Sequence, residues 1–345
     1  MSYFLPNIDA MSGYEPGEQL AGEYVKLNTN ENPYPPSPRV MEALRQAIGE
    51  GLRRYPDPLA TKLREEAARL YRVTPDMILC GNGSDDLLTI ITRAFVGEGD
   101  TLISPQPSYL LYKVLAEIQG AKYQPVEFPA DYSLPRGLAE AKGKVTFLAN
   151  PNSPSGTFIP TREVEKLAQA IRHVLVIDEA YVDFADQNAM ALVHRYPHVI
   201  VLRTLSKSYS LAGMRIGLAV AHRSLIAGLV KVKDSYNLSA LAIVAGAAAL
   251  ADQAYFQECV EKIRAERADL SAKLRELGLA VYPSQSNFVM ARFGEPRARE
   301  IQQELRQRRL LVRHYDVPGV RDCLRITVGT REQMERFIDE LKTLL

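Results

Sequence analysis

The 345 residues carry 42 Lys and Arg against 41 Asp and Glu, a formal charge of +1, and 46% of them are hydrophobic. Such a length suits two domains with sizeable cores, and near-neutrality argues against a nucleic-acid or membrane-surface protein, both of which need a basic excess. Three scattered cysteines, Cys80, Cys259 and Cys323, form neither a disulfide framework nor a zinc ligand set and point to a reducing, cytoplasmic compartment.

Met1–Ala10 lacks the basic-then-apolar order of a signal peptide. Pro6, Pro16, Pro33, Pro35, Pro36 and Pro38 leave little room for helix or central strand over residues 1–38. This stretch reads as an extended arm lying on a smaller domain or on a partner subunit. Val40–Ile48 and Ala60–Tyr71 have helical spacing, separated by the break Tyr55-Pro56-Asp57-Pro58. The chain then alternates apolar runs (Met77–Cys80, Thr101–Ser104, Val145–Ala149, Val174–Asp178, Val199–Arg203, Ile216–Ala221) with helical stretches (Asp85–Phe95, Tyr109–Gln119, Arg162–Ile171). Strands apolar on both faces belong to a mostly parallel sheet covered by helices, so residues 39–237 read as a large α/β domain. The uncharged run Ala240–Ala251 is far shorter than the about 20 residues of a membrane span. With Ala254–Leu277 it reads as a helical link. Strands at Ala280–Tyr282, Phe288–Arg292 and Leu324–Val328, with helices at Pro296–Arg308 and Arg331–Leu344, make residues 238–345 the linker helix and a small α+β domain.

In open α/β sheets ligands bind beyond the carboxyl ends of the strands, and four such ends are unusual. Cys80-Gly81-Asn82-Gly83-Ser84-Asp85-Asp86 joins a strand to a helix. Its glycines and the first helical amides suit an anion, although Ser84 and Asp85 also suit plain N-caps. Asp86 stands where a dinucleotide fingerprint needs its third glycine. Asp178-Glu179 ends an apolar run as in a magnesium-binding ATPase strand, but no phosphate-loop lysine motif lies upstream, and no metal site is expected. Lys207 follows another run, flanked by Ser206 and Ser208, with Arg215 eight residues on. A lysine past a strand end is ordinarily solvated, whereas one held in a desolvated cationic pocket deprotonates and becomes a Schiff-base nucleophile. Asn150-Pro151-Asn152-Ser153-Pro154-Ser155-Gly156 is either a simple turn or a source of donors. One ligand would satisfy all four ends, having a phosphate, a protonatable ring nitrogen for Asp178, a phenolate oxygen near Tyr181 and an aldehyde for Lys207. That ligand is pyridoxal 5′-phosphate.

These residues resemble those of the fold-type-I pyridoxal-phosphate aminotransferases, and within them the branch acting on histidinol phosphate. The likeness runs along nearly the whole chain: Tyr14-Glu15-Pro16-Gly17, Leu27–Tyr34, Arg54-Tyr55-Pro56-Asp57, Asp178-Glu179-Ala180-Tyr181, Arg203–Lys207 and Cys323–Thr330. It implies a seven-stranded, mostly parallel sheet in the large domain and a homodimer. Lys207 would carry the cofactor as an aldimine and then move a proton between substrate and cofactor, Asp178 would keep the ring nitrogen protonated, and Tyr181 would bond the phenolic oxygen. Gly83, Ser84, Asp85, Ser206 and Arg215 would hold the phosphate, joined by Tyr55 of a neighbouring subunit, with Tyr109 stacked on the ring. The family usually has Asn where this chain has Ser153, so Ser153 or Asn152 is expected to serve the phenolic oxygen. Tyr14, Asn30, Arg313 and Arg325 would bind substrate, two guanidiniums suiting a dianionic phosphate.

The implied activity is ping-pong transamination between L-histidinol phosphate or imidazole acetol phosphate and glutamate or 2-oxoglutarate. The rivals are an aromatic amino-acid aminotransferase or a threonine-phosphate decarboxylase on the same fold, and a non-catalytic nucleotide-binding protein. No nucleic acid is expected as a partner.

Overall fold

The computed structural model describes residues 2–14 and 16–345, so Met1 of the opening segment and Glu15 of the Tyr14–Gly17 motif lie outside the described residues. The strands in chain order are β1 (Val25–Leu27), β2 (Ile78–Gly81), β3 (Thr101–Gln106), β4 (Lys122–Glu127), β5 (Val145–Ala149), β6 (Val174–Asp178), β7 (Val199–Thr204), β8 (Gly217–Ala221), β9 (Ala280–Val281), β10 (Phe288–Arg292), β11 (Leu310–His314) and β12 (Cys323–Thr327). Seven of them form one sheet in the order β2-β8-β7-β6-β5-β3-β4. All its pairings are parallel except the two that β8 makes with β2 and β7. This is the mostly parallel sheet of an α/β fold.

The apolar runs are unbroken because both faces are covered. Leu175, Ile177, Val199, Val201, Leu218 and Val220 face one core, while Val176, Ile200, Leu202, Ala219 and Ala221 face the other. Each buried Val, Leu or Ile among them contributes roughly 1.5–3 kcal/mol, which holds these strands between the two cores. β4 is the exception: Lys122, Pro125 and Glu127 give it no apolar pattern, and Pro within a strand is tolerated at this edge position.

The second sheet has the order β1-β11-β12-β10-β9. Its core takes Leu27 from β1 together with Val289, Val312, Leu324 and Phe337. The arm fits the expectation of little room for helix or central strand, but it is not wholly irregular. Residues Pro6–Ala10 form a short helix, and Val25–Leu27, the proline-free part, pairs in parallel with Leu310–Val312. Helix Ala240–Ala251 gives Ala242, Ala245 and Leu250 to a core of the large sheet, whereas helix Gln253–Glu276 gives Ile263 and Leu270 to the core of the small one. The change falls at Asp252, whose carboxylate accepts a hydrogen bond from Ser37. Among the described residues no helix is long and apolar enough to cross a membrane, and no group of His, Cys, Asp and Glu is arranged to hold a metal ion.

Candidate active site

The reversed strand β8 explains how the site assembles. Because it runs against β2 and β7, its first residue, Gly217, lies opposite Gly81 and Thr204 at their carboxyl ends. Arg215, just before it, therefore reaches the turn after β2. The approach is close: a Cβ on Gly83 would fall 2.6 Å from Arg215 Nη2, and one on Gly217 would fall 2.5 Å from the Gly83 carbonyl carbon. Gly83, at φ 88°, takes the N-cap position of helix Ser84–Phe95 and supplies no side-chain cap. Ser84 and Asp85 are the first helical residues rather than N-caps. Both line the same cavity as Arg215, and the unpaired amides of a helix's first turn favour an anion.

That cavity, of about 390 Å³, is lined by Ser84, Asp85, Tyr109, Ser153, Asp178, Tyr181, Ser206, Lys207 and Arg215 from the large domain. Tyr14 and Asn30 of the arm and Arg313, Tyr315 and Arg325 of the small sheet complete it. Tyr55 is not brought there in its own chain; it is 81% exposed and stacked on Tyr236 with centroids 4.5 Å apart.

Asp178, at the end of β6, is 5% exposed and accepts hydrogen bonds from Tyr112 Oη at 2.8 Å and the Ala180 amide at 3.2 Å. Burial pushes its carboxyl up to about 6 against the pull of those donors, and no cation pairs with it among the described residues. Lys207 Nζ donates to the Thr29 carbonyl at 3.2 Å. Burial, and after it the Arg325 charge, lowers its pKa to about 8. About a tenth of such an amine is neutral at pH 7, some hundreds of times more than for an ordinary lysine. An acid lacking a cation and an amine lacking a carboxylate thus face one cavity.

Arg325, 7% exposed, donates from Nη2 to the Asn28 carbonyl at 2.7 Å and from Nη1 to Ser153 Oγ at 3.4 Å, while its buried Nε has no partner. Arg313 stands directly across from it in the β11–β12 register, an opposition of like charges that ordinarily destabilises a sheet. The Tyr315 ring lies against both guanidiniums, 5.3 Å from Arg313 Cζ and 5.4 Å from Arg325 Cζ. Arg313 also donates to the Pro16 carbonyl at 3.3 Å.

The turn after β5 settles how its two polar residues point. Asn152 accepts from Ser108 and donates to the Pro107 carbonyl, both in the segment after β3, and to Ser155 Oγ within the turn, so its amide is spent on the protein. Ser153 instead faces the cavity, against Arg325 and Tyr181. Tyr109 donates to Asp85 Oδ1 at 3.1 Å, and Arg215 Nη2 reaches Asp85 Oδ2 at 3.4 Å. Tyr14 meets the Tyr109 ring edge-on at 5.8 Å. Asn30 spends its amide on Tyr181 and Thr327.

Sequence reasoning missed Tyr112 and Tyr315, together with the carbonyls of Asn28 and Thr29. Asn32 escaped notice too; its amide donates to the carbonyls of Lys207 at 2.9 Å and Ser208 at 3.1 Å and so fixes the backbone that carries the amine. Backbone acceptors leave no mark in a sequence, and Tyr112 looks like any apolar position of its helix.

Comparison with known proteins gives a consistent set of relatives. Residues 22–341 match the family model described as aminotransferase class I and II. A histidinol-phosphate aminotransferase from Citrifermentans bemidjiense is 49% identical over 341 residues, covering 98% of this chain and 97% of that one. Histidinol-phosphate aminotransferase 1 of Trichormus variabilis is 45% identical over 347 residues, covering 100% and 99%. Among solved structures, the histidinol-phosphate aminotransferase of Sinorhizobium meliloti, crystallised with pyridoxal-5′-phosphate, superposes with a TM-score of 0.91 at 29% identity, covering 100% of this chain and 98% of that one.

Proposed function

The chain belongs to the class I and II aminotransferases, and we propose that it moves an amino group between L-histidinol phosphate and 2-oxoglutarate, reversibly, with pyridoxal 5′-phosphate as cofactor. One observation carries the substrate assignment. Two arginines stand opposite each other in adjacent strands and open on the cavity that holds a depressed lysine. A dianion offsets that like-charge opposition better than a single carboxylate, because each guanidinium can give it a charge-assisted bond.

The donor set fits the cofactor. Arg215 and the uncapped amides after Gly83 suit its phosphate, the buried Asp178 suits a protonated ring nitrogen, and the amine of Lys207 suits its aldehyde. When bound, pyridoxal phosphate supplies a carbonyl that takes up amino groups and a ring that withdraws electrons from the carbon beside them. Asp178 would hold the proton of the ring nitrogen, its carboxylate kept oriented by the Tyr112 hydroxyl. Lys207, whose lowered pKa leaves more of its amine neutral, would serve as the base that takes a proton from the carbon bearing the substrate's amino group and gives one back. Tyr181 would donate to the phenolic oxygen, with Ser153 supporting that role from its place beside the Tyr181 hydroxyl. Arg325 and Arg313 bind the substrate's anion, and Tyr14 covers it from the arm.

A homodimer in the cytoplasm belongs to the same reading. The exposed Tyr55 supports its supply to a neighbour's phosphate site, and three free, buried cysteines suit a reducing compartment. Steady-state kinetics on histidinol phosphate, phenylalanine and threonine phosphate tests the assignment. The largest kcat/KM is expected for histidinol phosphate, and a larger value for either other substrate overturns it.

A further inference from the structure

Asn30 lies beside the cavity at φ 57° and 1% exposure, tied down on every polar atom. Its amide N–H donates to Thr327 Oγ1 at 3.0 Å, and its carbonyl accepts from Asn287 Nδ2 at 3.0 Å. In its side chain, Oδ1 accepts from Thr327 Oγ1 at 3.0 Å and Nδ2 donates to Tyr181 Oη at 3.0 Å.

These bonds have a direction. Thr327 Oγ1 has one proton, and it already accepts the Asn30 N–H. At 1% exposure that proton has one acceptor on hand, Asn30 Oδ1. Turning the Asn30 amide over would strand it. The Nδ2 group is therefore aimed at Tyr181, whose oxygen is an acceptor in this bond. A second chain reaches the same oxygen: Arg325 Nη1 donates to Ser153 Oγ, and Ser153 in turn lies against Tyr181. With Asn30 Nδ2 donating to it, the Tyr181 oxygen keeps its own proton to give, and Tyr181 lines the cavity into which that proton can point.

We infer that Asn30 is a positioning residue whose amide, locked by Thr327, directs the Tyr181 hydroxyl proton at the anionic oxygen of the bound cofactor. The inference rests on the cofactor assignment above and gives Asn30 a role different from substrate binding. Losing a directed donor leaves that oxygen's negative charge less stabilised, so the adjacent lysine-linked nitrogen keeps its proton to higher pH.

The test reads the pH midpoint of the visible band of the pyridoxal-phosphate-loaded protein, together with the affinity for pyridoxal phosphate by equilibrium dialysis. Tyr181→Phe is expected to raise the midpoint by about one pH unit and to weaken binding about tenfold. Asn30→Ala is expected to raise it by about half a unit, and to add almost nothing in the Tyr181→Phe background, because both act through one proton. Thr327→Val, which frees the amide while keeping the shape, should move the midpoint the same way by less. It decides the matter should Asn30→Ala fail to fold by circular dichroism. Equal shifts with and without the Tyr181 hydroxyl, or none from either variant, overturn the inference alone. A wild-type chain that gains no visible band overturns the cofactor reading, and the inference with it.

Discussion

Arg203 and Arg325 are buried strand arginines, each 7% exposed, provided for in opposite ways. Arg203 pairs Nε with Glu179 Oε2 at 2.8 Å and Nη1 with Asp183 Oδ1 at 2.9 Å, and its guanidinium lies over the Tyr71 ring. Burial would lower its pKa, but Glu179, Tyr71 and Asp183 outweigh it and hold the proton more tightly than usual. Arg325 has one carbonyl, one long bond to a hydroxyl and a vacant Nε, with no carboxylate among the described residues. A charge that serves the fold is neutralised inside the fold. A charge left short of partners at equal burial is one that a ligand completes, and Lys207 and Asp178 share that condition.

The comparison can be broken in several places, beginning with the most drastic. Lys207→Ala is expected to cut transamination at least about 1000-fold and to abolish the visible band, measured by stopped assay and absorbance, while cofactor still binds noncovalently. Arg203→Met leaves the buried Glu179 and the half-buried Asp183 without their cation and should cost about 3–5 kcal/mol in urea unfolding. Arg325→Met should leave that unfolding free energy unchanged or slightly higher, yet raise KM for histidinol phosphate and for glutamate by about 10- to 100-fold, the value of a charge-assisted hydrogen bond. If Arg325→Met destabilises as much as Arg203→Met, the distinction fails.

A pH series sharpens the same contrast for the lysine. In cofactor-free protein the folded-state pKa of Lys207 is about 8, against 10.5 for an ordinary lysine. A lowered lysine pKa penalises folding fully below pH 8, and the penalty fades as pH rises from 8 to 10.5, where the amine is neutral in both states. Lys207→Met should accordingly be more stable than wild type at pH 7, by about 3 kcal/mol, and the advantage should shrink across that window. An advantage independent of pH would place its origin in packing instead. The smallest effect is expected at Ser153: replacement by Ala should weaken pyridoxal phosphate binding by no more than about tenfold in equilibrium dialysis, since Asn30 still serves Tyr181.

Much of this was legible in the residue order because the large sheet is buried on both faces. Continuous apolar runs mark β5, β6 and β7, and the polar residues at their ends stand out against them. Asp178 and Lys207 are conspicuous for that reason. β4 was not legible, since Pro125 and its charged neighbours look like loop and only an edge position lets them pair. Nor was β1, whose three residues are set in a proline-rich arm and owe their conformation to a partner at 310–312. The turn Asn150–Gly156 shows a different limit: Asn152 and Ser153 are equally polar, and only the backbone path decides that the amide of one is already spent and the other faces Arg325. Tyr315 left no signal, because what defines it is the pair of guanidiniums its ring separates.

The parallel pairing of Val25–Leu27 with Leu310–Val312 has a bearing on how the molecule is made. The strip that follows β1 presents Asn28, Thr29 and Asn30 to Arg325, Lys207 and Tyr181 in turn, but β1 itself has no strand to pair with until residues 310–312 have been made. Contacts so distant along the chain close late and slowly. A nascent chain stopped short of residue 310 would hold the lysine and its acid but not the wall that completes their cavity, which ties competence for amino transfer to synthesis of the second sheet.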